Sequence, residues 1–386
     1  MSITSSPEGI LSRLIQFDTV SHLSNLELLD WVEAYLAEYG VSARRIYDAT
    51  GEKANMIATI GDATVPGYIL SGHVDVVPVK GQDWSFDPFG GEIRDGRVLG
   101  RGASDMKGYL ACVLAVVSEM VAAPLHTPLH LVFSHDEEIG CVGVRTAVAD
   151  IAGWEVLPKG CFVGEPTAMQ VVLGHKAKQT MAVQVRGSTA HSSLAPEAVN
   201  AVEYAARLTT LISDLGRDFQ EFGARDPAYD VPHSTGHVGV QHGGRQVNIV
   251  PDSASLVFEF RCIGADDPAE RAAQVEAFAR DVLEPRMKAV HADSGFTFSL
   301  KSAIPGLDTD PASELISLTK VLAGRNDHSK VAFATEGGLF SEIGIPTVVI
   351  GPGNIDRAHK PDEFIEVAEL QACTDFLLRL IQRCRV

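Results

Sequence analysis

Gly67-Tyr-Ile-Leu-Ser-Gly-His-Val-Asp75 decides how this chain is read. Tyr68 to Leu70 is an apolar run of the kind a buried strand needs, and His73 stands at its carboxyl end, where open α/β sheets place their ligands. A neutral imidazole binds a metal through one nitrogen. A carboxylate two residues on, Asp75, is placed to accept the proton of the other nitrogen and fix the tautomer. Alone, such a triplet is more often a structural hydrogen bond than a metal site, so it needs companions.

Working outward, Gly102-Ala-Ser-Asp-Met-Lys-Gly108 is a turn, and the apolar stretch Tyr109 to Val121 behind it reads as a helix, which puts Asp105 just before a helix N-terminus. Leu129 to Ser134 reads as a strand that delivers His135-Asp-Glu-Glu138. Cys161 to Glu165 is a short strand ending in Glu-Pro-Thr, and Pro346 to Gly351 is another, leading into a loop that carries His359. Each residue has an ordinary use when taken singly: Asp105 as a helix cap, Glu165 as a strand-end acid, Glu137 and Glu138 as a solvated turn, His359 as a loop histidine. Gathered at one edge of a sheet they form a crowd of like charges that a bound dication neutralises.

Composition narrows the rest. A net charge of -18 with no concentrated Lys/Arg run argues against nucleic acid or an anionic membrane as partner. With 386 residues and 45% hydrophobic content, a single core would be unusual, so more than one domain is expected. The opening Met-Ser-Ile-Thr-Ser-Ser-Pro has neither a basic nor an apolar leader segment, and no apolar run reaches membrane-spanning length, so the expected location is cytoplasmic. Cys112, Cys141, Cys161, Cys262, Cys373 and Cys384 include no short-spaced pair and read as reduced, buried thiols.

The first helix signal is Ser24-Asn-Leu-Glu27, a capping box, followed by Leu28, Val32, Tyr35 and Leu36 at helical spacing and Gly40 as a stop. Strand and helix signals alternate to about Gly174, which is α/β grammar. From about Lys176 the pattern changes. Met181, Val183 and Val185 alternate with polar neighbours; a helix is predicted from about Pro196 to Leu215, then strands near Gly236 to Val240 and Ser255 to Arg261. A second helix from about Pro268 carries Val275, Ala279 and Val282, and Phe296, Phe298 and Leu300 alternate on a last strand. The order is βαββαβ, a ferredoxin-like unit, and it is an insertion because strands resume at Val331 and Pro346. The predicted division is 1–176 with 305–386 as one domain and 177–304 as the inserted one.

The elements Ser71-Gly-His-Val-Asp-Val-Val-Pro78, Gly100-Arg-Gly-Ala-Ser-Asp-Met-Lys-Gly108, Asp136-Glu-Glu138, Val163-Gly-Glu-Pro-Thr167, Arg186-Gly-Ser-Thr-Ala-His-Ser-Ser193 and Gly351-Pro-Gly-Asn-Ile-Asp-Arg-Ala-His-Lys-Pro361 occur in one order along the chain. Together they resemble the co-catalytic metallopeptidases of the aminoacylase, carboxypeptidase G2 and succinyl-diaminopimelate desuccinylase superfamily. Thr335-Glu-Gly-Gly-Leu-Phe340 and the Ala-His-Lys-Pro-Asp-Glu-Phe364 ending are most similar to the acetylornithine deacetylase branch. The resemblance implies a mixed-sheet α/β catalytic domain of the zinc-exopeptidase type, with the inserted unit as a lid and dimerisation domain in a homodimer.

It also implies roles. Two divalent metal ions, zinc first with cobalt or manganese as alternatives, would take His73, Glu165 and a bridging Asp105 on one side and Glu138, His359 and the same Asp105 on the other. Asp75 would orient His73, and Glu137 would act as general base on a water between the metals. His191 would stabilise the oxyanion in the partner subunit's site. Asn248 and Arg261, with Thr335, Glu336 and Gly338, would hold substrate; Arg261 suits a carboxylate, and Glu336 a side-chain ammonium. The implied reaction is removal of the acetyl group from N2-acetyl-L-ornithine. Desuccinylases resembling this chain carry an Arg in the segment where Leu339 stands. An aminoacylase or desuccinylase activity, or a binding protein with a structural metal, are the competing expectations; the last has no need for a free Glu137.

Overall fold

The computed structural model describes residues 5–386. Residues 1–4, part of the stretch read as lacking a leader, lie outside them. The chain forms two compact units: one runs to Gly174 and takes in Leu307–Lys330 and Thr335–Val386, and the other is His175–Gly306 with Val331–Ala334.

The first unit is built on a mixed sheet of nine strands. At its centre Leu129–Ser134, Tyr68–His73, Gly160–Val163 and Thr347–Val349 lie side by side and parallel. They are buried nearly throughout, as strands covered on both faces must be. Ala54–Ile60 and then Ala43–Tyr47 add on antiparallel at one side. The four parallel strands therefore end at the same edge, and the loops leaving that edge begin at His73, Ser134, Val163 and Val349.

The helix Lys107–Ala115 is buried along its whole length, packed between Pro7–Ile15 and Val367–Cys384. It ends at Val116 instead of continuing to Val121, where a separate short helix, Val117–Val121, takes over. The expected first helix is in fact the second. Pro7–Ile15 precedes it, with Ser6 capping Gly9 N–H and Pro7 in its first turn. The Ser24 box does not form: the Leu26–Glu38 helix starts at Asn25, whose side chain pairs with both backbone groups of Ala54, and Ser24 Oγ accepts from Leu26 N–H at 3.3 Å while its hydroxyl donates to the Glu52 carbonyl. Leu28, Val32, Tyr35 and Leu36 do face the core.

The second unit is an antiparallel sheet in the order Thr235–Gly243, Ser253–Cys262, Ala177–Arg186, Gly295–Ile304, with the helices Ala201–Phe222 and Pro268–Phe278 in the crossovers. This is the expected ferredoxin-like βαββαβ arrangement, with its own core of Val183, Leu208, Ile212, Phe258 and Val275. The first helix starts later than Pro196 because Asn200 accepts from Val202 and Glu203 N–H, while Ser192–Glu197 is a tight 3₁₀ turn. All six cysteines are buried and unpaired as disulfides.

Candidate metal centre

The carboxyl edge of the parallel strands brings His73, Asp75, Asp105, Glu137, Glu138, Glu165 and His359 into one cluster. His73 is fully buried, and its Nδ1 donates to the backbone carbonyl of Asp75 at 2.8 Å. In the neutral ring that bond would leave Nε2 as the nitrogen free to bind a metal; Nε2 lies 3.1 Å from Asp105 Oδ1 and 3.8 Å from Glu165 Oε1. The tautomer is thus fixed by the Asp75 main chain and not, as expected, by its carboxylate, which stands 3.6 Å from Nδ1. The carboxylate instead accepts from Glu137 N–H at 3.1 Å, Glu138 N–H at 3.3 Å and the Ser21 hydroxyl at 2.7 Å. Asp75 therefore holds the turn that carries the two glutamates.

That turn is unusual in its backbone. Asp136 sits at φ +54°, a left-handed conformation that Asp tolerates better than most residues, and its side chain pairs with Lys53 Nζ at 2.7 Å. Lys53 also donates to the Ser21 carbonyl, so Ser21, Lys53, Asp75 and Asp136 form a closed network around the glutamates. Glu165 reaches the site because residue 164 is glycine: a Cβ there would fall 1.9 Å from the Tyr109 ring.

Asp105 is not a helix cap. It accepts no bond from the helix behind it, and the N-cap position belongs to Met106, across a cis peptide. Its Oδ1 faces His73, while Oδ2 faces His359 Nε2 at 3.3 Å; His359 Nε2 is also 3.0 Å from Glu138 Oε2. One carboxylate thus presents one oxygen to each of two imidazoles.

The charges explain what such a cluster requires. Burial, reinforced by Glu138, Asp75 and Asp105 against the pull of His73, pushes Glu137 up to about 8. Burial and the nearby Asp105 push Glu138 up to about 7 and hold Glu165 well above the usual carboxylate range. Asp105 and Glu138 raise His359 to about 10, and for His73 the carboxylates of Asp105, Glu165 and Asp75 outweigh the burial that opposes its charge. The acids are crowded beyond what two imidazoles neutralise, which is the electrostatic signature of a cation site. His73, Asp105 and Glu138 offer ligand atoms within 4.8 Å of one another, as do His73, Glu137 and Glu165. These are imidazole nitrogens and carboxylate oxygens without a thiolate, a set that suits zinc and similar divalent ions. Distance does not separate Glu137 from the ligands. What marks it is the Cys141 thiol, kept protonated by burial, which donates to Glu137 Oε1 at 3.2 Å.

The remaining expected residues lie elsewhere. In the first unit Thr335 is buried and accepts from Gly337 N–H at 3.0 Å, and Gly338 is buried in the short helix Gly337–Glu342. Glu336 is no solvated acid open to a substrate ammonium. It is fully buried, with Oε1 accepting from the Ser71 hydroxyl at 2.5 Å and Oε2 from Ser134 at 2.6 Å, so both oxygens are committed to the strands beneath the cluster. Leu339 is likewise buried. In the second unit His191 and Asn248 are neighbours: Ser192 N–H donates to the Asn248 carbonyl at 3.0 Å, and His191 pairs with Ile249 across a bridge. The His191 ring is exposed, with Nδ1 2.8 Å from the Ser193 hydroxyl. Arg261 donates through Nε to Glu259 at 2.8 Å on the same strand.

Sequence reading passed over Ser21, Lys53 and Gln82 and gave no role to Ser71, Ser134, Arg101 and Glu363, which stand inside stretches quoted above; all seven support the cluster. No local spacing announces their partners, because each meets its partner only after the sheet has formed.

The chain is similar to known proteins over most of its length. The family model described as peptidase family M20/M25/M40 matches residues 69–383. Acetylornithine deacetylase of Proteus mirabilis is 29% identical over 366 residues, covering 95% of this chain and 92% of that one. The same enzyme of Buchnera aphidicola subsp. Acyrthosiphon pisum is 28% identical over 380 residues, covering 97% of each. A metallo-carboxypeptidase from Sulfolobus solfataricus has the same fold, with TM-score 0.76 at 18% identity, covering 97% of this chain and 98% of that one.

Proposed function

This chain belongs to peptidase family M20/M25/M40, a family of metal-dependent hydrolases, and on that premise we propose that it hydrolyses N2-acetyl-L-ornithine to L-ornithine and acetate, a step of arginine synthesis. The observation that carries the reading is Asp105, whose two oxygens face His73 on one side and His359 on the other. One metal would be held by His73, Glu165 and Asp105, the other by Glu138, His359 and Asp105. Bound zinc, or cobalt or manganese in its place, would supply Lewis acidity toward the amide carbonyl and a lowered pKa for the attacking water.

The chain's own groups do the rest. Glu137, held by Cys141 at one oxygen, would take the proton of the water as the new C–O bond forms. It would return that proton to the amine nitrogen as the C–N bond breaks. Asp75 keeps Glu137 and Glu138 facing opposite duties by gripping both of their backbone N–H groups. Arg261, with Nε engaged by Glu259 and Nη1 donating to the Ala332 carbonyl at 3.4 Å, would meet the substrate carboxylate through its remaining N–H groups, while His191 and Asn248 would act from the second unit as lid groups. A homodimer in the cytoplasm is the setting that the family resemblance supports.

The test is metal analysis of the purified protein together with turnover on a panel of N-acyl amino acids. The expected outcome is dependence on a divalent ion and a preference for N2-acetyl-L-ornithine over N-succinyl-diaminopimelate of at least about tenfold in kcat/KM, or roughly 1.4 kcal/mol of differential transition-state binding. Equal or better turnover of the succinylated compound overturns the substrate assignment and leaves the hydrolase standing.

A further inference from the structure

Beneath the two loops that carry Asp105 and His359 lies an ion pair with no place in the chemistry above. Arg101 and Glu363 are each about 1% exposed, and Arg101 Nη1 donates to Glu363 Oε2 at 2.7 Å. Breaking such a pair leaves an uncompensated buried charge, so its geometry is held firmly. The other oxygen, Oε1, accepts from the backbone N–H of Ser104 at 2.9 Å and of Asp105 at 3.1 Å. Glu363 therefore grips the main chain of the residue whose carboxylate faces both imidazoles.

The guanidinium reaches the other loop. Arg101 Nη1 donates to the Lys360 carbonyl at 3.2 Å, and Nη2 donates to Gln82 Oε1 at 2.6 Å. Gln82 in turn donates through Nε2 to the His359 carbonyl at 2.9 Å. His359 needs such a hold: it sits at φ +62°, in a loop, with its ring half exposed. Trp84 completes the cradle, with the Arg101 guanidinium 4.9 Å above its ring. The planar fork of Arg serves three acceptors in fixed directions, which a point charge on Lys could not do.

We propose that Glu363, Arg101 and Gln82 are a positioning unit that sets Asp105 against His359, and thereby the affinity of the metal site these two share with Glu138. The inference rests on the two-metal reading above. Its two arms are unequal. Glu363 acts on Asp105, which belongs to both metal sites, whereas Gln82 acts on His359, which belongs to one.

The experiment is a titration of metal-stripped full-length protein with zinc against a chromophoric chelator, alongside the thermal midpoint of the same metal-free samples. Wild type should bind two equivalents. Gln82→Glu keeps an acceptor for Arg101 but lacks a donor for the His359 carbonyl; it should weaken one equivalent by about 10 to 100-fold, the range for outer-shell partners, and leave the other within threefold. Glu363→Gln should weaken both, since the amide cannot serve Arg101 and the two N–H groups at once. The metal-free midpoint of Gln82→Glu should stay near wild type, which a merely structural role for Gln82 would not allow. Equal weakening of both equivalents by Gln82→Glu, or no weakening, overturns the proposal even if Glu363→Gln does not fold. Wild type that binds fewer than two equivalents overturns the two-metal reading itself and the inference with it.

Discussion

At the scale of single residues, the adjacent pair Glu137 and Glu138 makes the sharpest claim. Glu138 faces His359 and Glu137 faces the Cys141 thiol. Glu137→Gln should therefore retain both metals while turnover falls by several orders of magnitude, and Glu138→Gln should lose metal as well. Metal content and kcat of the two variants, measured side by side, decide this; comparable metal loss in both would remove Glu137 from the role of base. Asp75→Ala should cost on the order of 10 to 100-fold in activity. Because the His73 tautomer is held by a backbone carbonyl that the substitution keeps, metal at the His73 side should stay bound. Loss of that metal would show that the carboxylate orients His73 after all. The cluster was legible in the sequence because His73, Asp105, Glu138 and Glu165 stand near strand ends or a helix start, and the family resemblance added His359 in its loop. It misplaced Asp75's partner, since the choice between a residue's carbonyl and its carboxylate is a matter of one torsion angle. Glu336 was misread for a related reason: nothing local tells a loop acid that two serines, at positions 71 and 134, will close over it.

Among the elements, the strand Leu129–Ser134 carries a titration that the chemistry does not need. His130 is 2% exposed, pairs through Nδ1 with the Thr59 hydroxyl at 3.0 Å and stacks edge-on with Trp154, and burial pulls its pKa down to about 4. The folded value lies below the usual 6.5, so the unfolded chain binds the extra proton first. The stability contributed by a neutral His130 is complete above pH 6.5 and drains away as pH falls toward 4, by about 3 kcal/mol at most. Metal-free protein should lose thermal stability across that window, and His130→Gln should lose less than wild type does. Parallel curves for the two proteins would mean that His130 is not buried neutral. Element existence was legible where the pattern was strong: the apolar run of the Leu129–Ser134 strand and the alternation behind the βαββαβ order. The Pro7–Ile15 helix was overlooked although Ser6-Pro7 is a start signal and Ile10, Leu11, Leu14 and Ile15 fall at helical spacing. The Ser24 box failed because the helix starts one residue later, at Asn25, whose side chain Ala54 holds, and Ser24 Oγ accepts from Leu26 N–H.

On the scale of the whole molecule, the expectation that His191 serves a partner subunit can be tested by mixing inactive chains. His191→Ala and Glu137→Gln chains, co-assembled, should recover activity, because one site in each mixed dimer has an intact Glu137 and receives an intact His191. Verified mixed dimers without recovery would confine His191 to its own chain or to no role. The two units also differ in how they enter the chain: the second begins at His175, after His73, Asp105, Glu138 and Glu165 have all been placed, and only then does the chain return to supply His359. About 190 residues separate Glu165 from His359, which at ribosomal rates of about 5 to 20 residues per second is a delay of roughly 10 to 40 seconds. On the two-metal reading proposed above, the emerging protein would by then hold every side chain assigned to one ion and lack one assigned to the other, so the order in which the two ions could be fully coordinated would follow the order of synthesis.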